Sequence, residues 1–218
     1  MSLLKLGGIG AILWLIGSLV GLASGFVVQQ PDPYALLTGQ GFGEGFVNSM
    51  VLSLNLTAAA DVLLGLGTLL IFLATLELRK RYKSTLALVA GIFGLLTALS
   101  YFGLAAVIAI SAPQLAAALS NPLALASGAG IGEALAPLLL LGGVAVGTVV
   151  LFLVFTILLG VTFLTKRKEM GGSLPLVTGI FLILAVIPLV VIITAILLII
   201  TFFTLPSGPA PKAPKKGK

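Results

Sequence analysis

The sequence predicts an all-α integral membrane protein, a bundle of about five transmembrane helices. Two observations support this fold class: 59% of the 218 residues are hydrophobic and only 8% are charged, and several apolar runs exceed 18 residues. Soluble domains contain about 25% charged residues, so this chain lacks the polar side chains that would cover a water-facing surface. An apolar run of that length can cross the hydrocarbon core of a bilayer as a helix.

The predicted spans follow the apolar runs in chain order and form a single domain. They cover residues 6–28, 56–78, 84–111, 134–165 and 174–205. The first run follows Lys5 as a signal peptide would, but its 23 residues exceed the ~7–15 of a signal's apolar region, which favours a retained helix. Residues 29–45 and 112–133 are polar external segments, and the Pro- and Lys-rich tail, 206–218, is predicted to be disordered.

The fifth run leaves two topologies to compare. Its 32 residues would extend about 48 Å as a helix, against a hydrocarbon core of ~30 Å. A hairpin about Pro188 would return the tail to the cytoplasm, but each arm would hold only about 14 residues, fewer than the ~20 that a crossing needs. We therefore predict one long helix, kinked near Pro188, with the tail outside.

The formal net charge of +6 comes from cations that cluster beyond the ends of the apolar runs. Apart from Lys5 and four tail lysines, they are Arg79, Lys80, Arg81 and Lys83, and Lys166, Arg167 and Lys168. This placement is typical of charges that stay on the cytoplasmic side and set topology. It predicts a cytoplasmic N-terminus, a bilayer with anionic headgroups as partner and no nucleic acid. Glu77 and Arg81 have the four-residue spacing of a helix ion pair.

Glycines at four-residue spacing are candidates for helix packing. They are Gly17, Gly21 and Gly25 in the first span, and Gly143 and Gly147 in the fourth. This spacing puts them on one helix face, where missing side chains let another helix approach closely. Two interpretations remain open: packing within the bundle, or association with a second copy or a membrane-protein partner.

Asp61 is the acid placed within an apolar run, and Thr68 and Thr75 continue a mildly polar stripe along the same helix. A buried acid can carry protons or bind a cation, since ionisable groups in membranes are costly and usually functional. The basic turn, however, begins about 17 residues later, roughly 26 Å along a helix. Asp61 would then lie near the external interface, where a carboxylate can reach water. Both interpretations stay open.

The sequence contains no histidine and no cysteine, which excludes imidazole and thiolate chemistry and metal ligation by these side chains. Its six acids are scattered, so no paired carboxylates are evident. No cofactor or metal site is predicted, and the protein is not expected to be an enzyme. The predicted function is a non-catalytic accessory, scaffold or structural membrane subunit. The alternative is a small transporter or ion-conducting oligomer that uses Asp61.

Three segments together resemble an archaeal family of uncharacterised membrane proteins, domain of unknown function 996. They are the opening "LKLGGIGAILWLIGSLVG", the pair "LLGLGTLLIFLATLELRKRYK…LALVAGIFGLL" and the closing "LLIITFFTLP". The resemblance covers nearly the whole chain up to Pro206. It implies an archaeal plasma-membrane protein, and it supplies no known activity or site.

Overall fold

The computed structural model describes residues 2–31, 42–120 and 129–205, and every regular element in these ranges is helical. In chain order the elements are α1 (Leu3–Gly25), α2 (Glu44–Tyr82), α3 (Thr85–Ser120), α4 (Ala129–Met170), α5 (Ser173–Ile183), a 3-10 turn (Leu184–Val186) and α6 (Pro188–Thr204). Within these ranges, α1, α2, α3 and the Leu135–Met170 part of α4 are long and apolar enough to cross a membrane. The predicted all-helical, membrane-type class is confirmed.

Helices α2, α3 and α4 are longer than the predicted spans, and most of the segment predicted as a loop over 112–133 is helical. Helix α3 continues past residue 111 and through Pro113 to Ser120. A proline inside a helix removes one backbone hydrogen bond. Here the following residues, rich in alanine and leucine, favour the helix, and Leu115 and Ala118 are buried by packing. Tertiary packing thus extends the helix where the sequence suggested a loop.

The prediction of one long helix over 174–205 is wrong, because the helix ends before Pro188. Ile187 has an extended backbone, with φ −88° and ψ 119°, and α6 begins at the proline. A residue before proline is disfavoured in helical conformation, and proline is well suited to a first helical position. Pro188, which suggested a kink in one helix, therefore marks the point where one helix has ended and the next begins.

The chain reverses direction at this interruption, and α5 and α6 pack as an antiparallel hairpin. The hydroxyl oxygens of Thr178 and Thr201 lie 2.7 Å apart although 23 residues separate them in sequence. Thr194 donates a second hydrogen bond to the carbonyl oxygen of Phe181, at 3.1 Å. A continuous kinked helix could not bring these residues together, because 23 residues extend about 35 Å along a helix.

Both arms of the hairpin are short, as the sequence length requires. With its 3-10 turn, α5 extends about 22 Å, and the 17 residues of α6 about 25 Å. Neither matches the ~30 Å core, but membranes accept re-entrant segments that are buried in protein. Leu205 consequently returns to the end where α5 begins, which removes the basis for the predicted external tail. Residues 206–218 themselves lie outside the described ranges.

Contacts divide the described chain into two units, whose boundaries fall inside helices α1 to α4. The first unit lies within residues 2–16, 64–99 and 149–205. Large aromatic side chains fill its core: the rings of Trp14 and Phe152 lie 5.3 Å apart, and those of Phe163 and Phe202 meet edge to face at 6.0 Å. Trp14 and Phe155 are fully buried.

Glycines allow the closest backbone approaches in this first unit. A Cβ on Gly10 would lie 2.5 Å from the carbonyl oxygen of Gly67, and a Cβ on Gly67 would lie 2.6 Å from that of Gly10. Gly160 and Gly179 form the same reciprocal arrangement, at 2.7 and 2.8 Å. These four glycines are not among the predicted packing residues. Four-residue spacing identifies one face of one helix, whereas a crossing needs only a single glycine on each helix.

The second unit lies within residues 17–31, 42–63, 100–120 and 129–148. Its cluster consists of Leu115 and Ala118 of α3, packed by Met50 and Leu54 of α2 and by Leu141 of α4. This is a small apolar core, and a set of buried polar groups accompanies it.

Candidate functional site

Asp61, on α2, is the buried acid of the second unit, with 6% of its surface exposed. Its Oδ2 has no hydrogen-bond partner among the residues that the structure describes. The phenol of Tyr101 on α3 lies within electrostatic range of the Asp61 carboxylate. A buried charge without compensating hydrogen bonds is costly, so such acids are usually retained for a role. The burial favours a functional Asp61 over a water-facing interfacial side chain.

A pair of hydroxyl groups lies one helical turn before Asp61 and joins α1 to α2. Ser24 Oγ and Thr57 Oγ1 are 3.0 Å apart, and either can be the donor. Gly21 and Ala60 continue this contact, since a Cβ on Gly21 would lie 3.7 Å from the Cβ of Ala60. Sequence reasoning missed these hydroxyls, although Thr57 precedes Asp61 by four residues and therefore shares its face. The second unit thus places polar groups from three helices around one region.

Thr68 and Thr75 are fully buried, but their hydroxyl hydrogens are used within their own helix. Thr68 donates to the carbonyl oxygen of Leu64 and Thr75 to that of Phe72, each at 2.7 Å. Both threonines belong to the first unit, whereas Asp61 belongs to the second. Asp61 and the two threonines are therefore features of different units. The participation of the threonines in a site stays a prediction.

The predicted packing glycines differ in their surroundings. Gly17 is buried and Gly21 makes an ordinary contact, whereas a Cβ on Gly25, Gly143 or Gly147 would meet no atom within 4 Å in the part of the chain that the structure describes. Gly143 and Gly147 therefore do not pack against another helix in the described chain. Association through these two glycines stays a prediction.

The first basic turn is organised by Glu77, near the end of α2. The predicted ion pair with Arg81 is confirmed, and the second carboxylate oxygen accepts a hydrogen bond from the backbone N–H of Leu4 at 2.9 Å. This contact places the start of α1 beside the end of α2. Lys83 has a left-handed backbone, with φ 47°, and ends the helix. The other cations of this turn, Arg79 and Lys80, are exposed like Lys83.

The second basic turn ends α4 and leads into the hairpin. Lys166 pairs with Glu169 at 2.9 Å, while Arg167 and Lys168 are exposed. The N–H of Gly172 donates to the carbonyl oxygen of Arg167 at 2.8 Å, which closes the turn. Gly171 and Gly172 have φ of 108° and 100°, which glycine adopts readily and other residues rarely do.

Comparison with known proteins assigns no family and no function to this site. The sequence matches no family model, no curated protein and no solved structure. In the described ranges, no group of three or more histidine, cysteine, aspartate or glutamate side chains is placed to hold a metal ion. The resemblance to the archaeal membrane family therefore stays a prediction.

Proposed function

We propose that this protein is a non-catalytic membrane scaffold that associates with a second copy of itself through one face of α4. The observation that carries the proposal is the open surface at Gly143 and Gly147, where a Cβ added to either glycine would have no atom of the described residues within 4 Å. Two glycines at this spacing let the backbone of a partner helix approach closely and gain van der Waals contact. A two-fold symmetric pair would use the same surface on both copies.

The length of α4 supports a protein partner rather than lipid alone. Its 42 residues extend about 63 Å, twice the ~30 Å hydrocarbon core. The basic turn anchors one end of α4 at a membrane surface, so the N-terminal part extends beyond the hydrocarbon unless the helix tilts far more than the usual ~20°. This part has strongly exposed apolar side chains: Leu138 (51%), Leu139 (73%) and Leu140 (53%). Apolar surface beyond the lipid calls for a protein cover.

Leucine substitutions at the two open glycines test this association. We expect the variant with both Gly143→Leu and Gly147→Leu to have monomer mass in mild detergent, where the unmodified protein has oligomer mass. Gly103→Leu is a matched control, because the Cβ position of Gly103 in α3 also has no atom within 4 Å among the residues that the structure describes. The control should keep the oligomer mass. A monomeric unmodified protein, or an unchanged mass in the double variant, would show that this face does not join two copies.

The hairpin also revises the topology that we propose. The hydrogen bond between Leu4 and Glu77 places the N-terminus at the level of the first basic turn. The contact between Thr178 and Thr201 returns the end of α6 to the second basic turn. We therefore propose that both basic turns, the N-terminus and the departure point of the tail lie on the cytoplasmic side. All twelve cations would then obey the positive-inside rule.

Cysteine labelling tests this topology without background, since the natural chain has no cysteine. Lys83→Cys and Thr204→Cys are expected to resist a membrane-impermeant maleimide in intact cells and to react after lysis. Phe26→Cys is the matched control, because Phe26 is 90% exposed and follows the opposite end of α1. It should react in intact cells. Labelling of Thr204→Cys in intact cells would contradict the cytoplasmic return of the hairpin.

A second candidate function is cation or proton passage at Asp61, which the burial of an unpartnered carboxylate oxygen supports. Hydroxyl oxygens of Ser24 and Thr57, one turn away, would add neutral ligands for a cation. This function requires that Asp61 exchange its proton or cation along a path between helices. The scaffold and the transporter differ in one property, since only the transporter depends on the Asp61 charge.

Ion flux in proteoliposomes distinguishes the two candidates. Asp61→Asn keeps the size of the side chain and removes its charge, so it should abolish flux if Asp61 binds the ion. Glu44→Gln is the control, because it removes an exposed acid from the same helix. Flux that is lost only in Asp61→Asn supports the transporter. Equal flux in all three proteins, or none above empty liposomes, excludes it.

A further inference from the structure

A cavity of about 380 Å³ opens where the second basic turn meets the hairpin. It lies between the end of α4, the beginning of α5 and the end of α6. Its wall includes Lys168 and Gly171 of the turn, Leu174 and Pro175 of α5, and Leu205 after α6. The hairpin creates this cavity, because a single crossing would place Leu205 at the far side of the membrane. All of these residues belong to the first unit.

One side of the cavity is positively charged. Lys168 makes no ion pair among the described residues, because the neighbouring Glu169 carboxylate, which also lines the cavity, is paired with Lys166 at 2.9 Å. The beginning of α5 adds partial positive charge through the N–H groups of Ser173 and Leu174, which have no intrahelical acceptor, while Pro175 has no N–H. Its N-cap residue, Gly172, supplies no side-chain hydrogen bond to them. An anion placed between Lys168 and these amides would be stabilised by both.

The other side of the cavity is apolar, formed by Leu174, Pro175 and Leu205. A small inorganic anion would leave this wall unoccupied. A phospholipid carries an anionic group for the positive side and an apolar group for this wall, because its phosphate is joined through glycerol to acyl chains. The cavity also lies beside a basic turn at the end of a membrane-spanning helix, at the level where headgroups lie.

We propose that this cavity binds the headgroup of an anionic phospholipid, with its phosphate between Lys168 and the start of α5, and its glycerol and upper acyl chain against Leu174, Pro175 and Leu205. The bound lipid would bridge α4, α5 and the end of α6. It would therefore hold the hairpin closed at its base. This site is independent of the proposed self-association face.

Retention of phosphatidylglycerol tests the site. The protein is released from nanodiscs of phosphatidylcholine and phosphatidylglycerol, and bound lipid is counted by native mass spectrometry. We expect Lys168→Ala to retain phosphatidylglycerol about fivefold less well, the effect of losing one lysine at an anionic surface. Arg167→Ala is the matched control, because Arg167 is equally cationic and exposed but does not line the cavity. It should retain the lipid as the unmodified protein does.

Two further arms separate the specific site from its alternatives. Lys168→Arg should restore retention, and buried Trp14 should keep its fluorescence spectrum in every variant, which shows that the first unit remains folded. Inorganic phosphate at millimolar concentration should not displace phosphatidylglycerol; displacement would identify an anion site instead of a lipid site. Equal losses in Arg167→Ala and Lys168→Ala would reduce the effect to general surface charge and overturn the proposal.

Discussion

Substituting alanine for Gly160 places a methyl group in the closest contact between α4 and α5. Its Cβ would lie 2.7 Å from the carbonyl oxygen of Gly179 and 2.9 Å from Cγ1 of Ile183. The isoleucine can rotate away, but the carbonyl oxygen belongs to the backbone of a packed helix and cannot. The two helices must therefore separate by a few tenths of an ångström. This strain should lower the free energy of unfolding of the first unit.

The magnitude follows from two opposing effects. Overpacking a close contact typically costs about 1–3 kcal/mol, while alanine favours a helix over glycine by about 1 kcal/mol. Gly103→Ala in α3 measures the second effect alone, because a Cβ at Gly103 meets no atom of the described residues within 4 Å and gains only the helix preference. The difference between the two variants should therefore be about 1–3 kcal/mol. Gly103→Ala alone should be neutral or slightly stabilising.

The natural chain supplies its own probe for this measurement. Trp14 is the single tryptophan, is fully buried and contacts Phe152, so unfolding of the first unit should shift its emission to longer wavelength. Titration with sodium dodecyl sulfate in mixed micelles gives the unfolding free energy of each variant, with far-ultraviolet circular dichroism recorded beside Trp14 emission because Gly103 belongs to the second unit. If Gly160→Ala unfolds at the same detergent fraction as Gly103→Ala or at a higher one, the close approach of α4 and α5 is not a constraint.

Two further predictions concern hydrogen bonds that join distant parts of the chain. In a double-mutant cycle of Thr178→Val and Thr201→Val, we expect a coupling near the ~0.6 kcal/mol typical of membrane-buried pairs, and purely additive effects would contradict the hairpin. Glu77→Gln should speed hydrogen exchange at the Leu4 amide roughly tenfold, because that N–H loses a charged acceptor. Arg81→Leu should keep the Leu4 contact, and equal protection of Leu4 in Glu77→Gln would show that the carboxylate does not hold it.

Local interactions were predictable because their partners are close in sequence. Glu77 and Arg81 are four residues apart on one helix, so their spacing alone predicted the ion pair. The basic turns were likewise predictable, since each follows directly after an apolar run. Residue spacing also placed Gly143 and Gly147 on one helix face. It could not show that this face remains open, because that depends on where every other helix packs.

The sequence by itself determined that the chain forms helices long and apolar enough to cross a membrane, because this property depends on the composition and length of each apolar run and not on contacts between helices. Only the tertiary structure decided that the chain reverses at Ile187, because a kinked crossing and a hairpin satisfy the same local hydrogen-bonding rules. The contact of Thr178 with Thr201 distinguishes them. The burial of Asp61 was also decided by packing, since a carboxylate on a helix reaches water or not according to the helices packed around it.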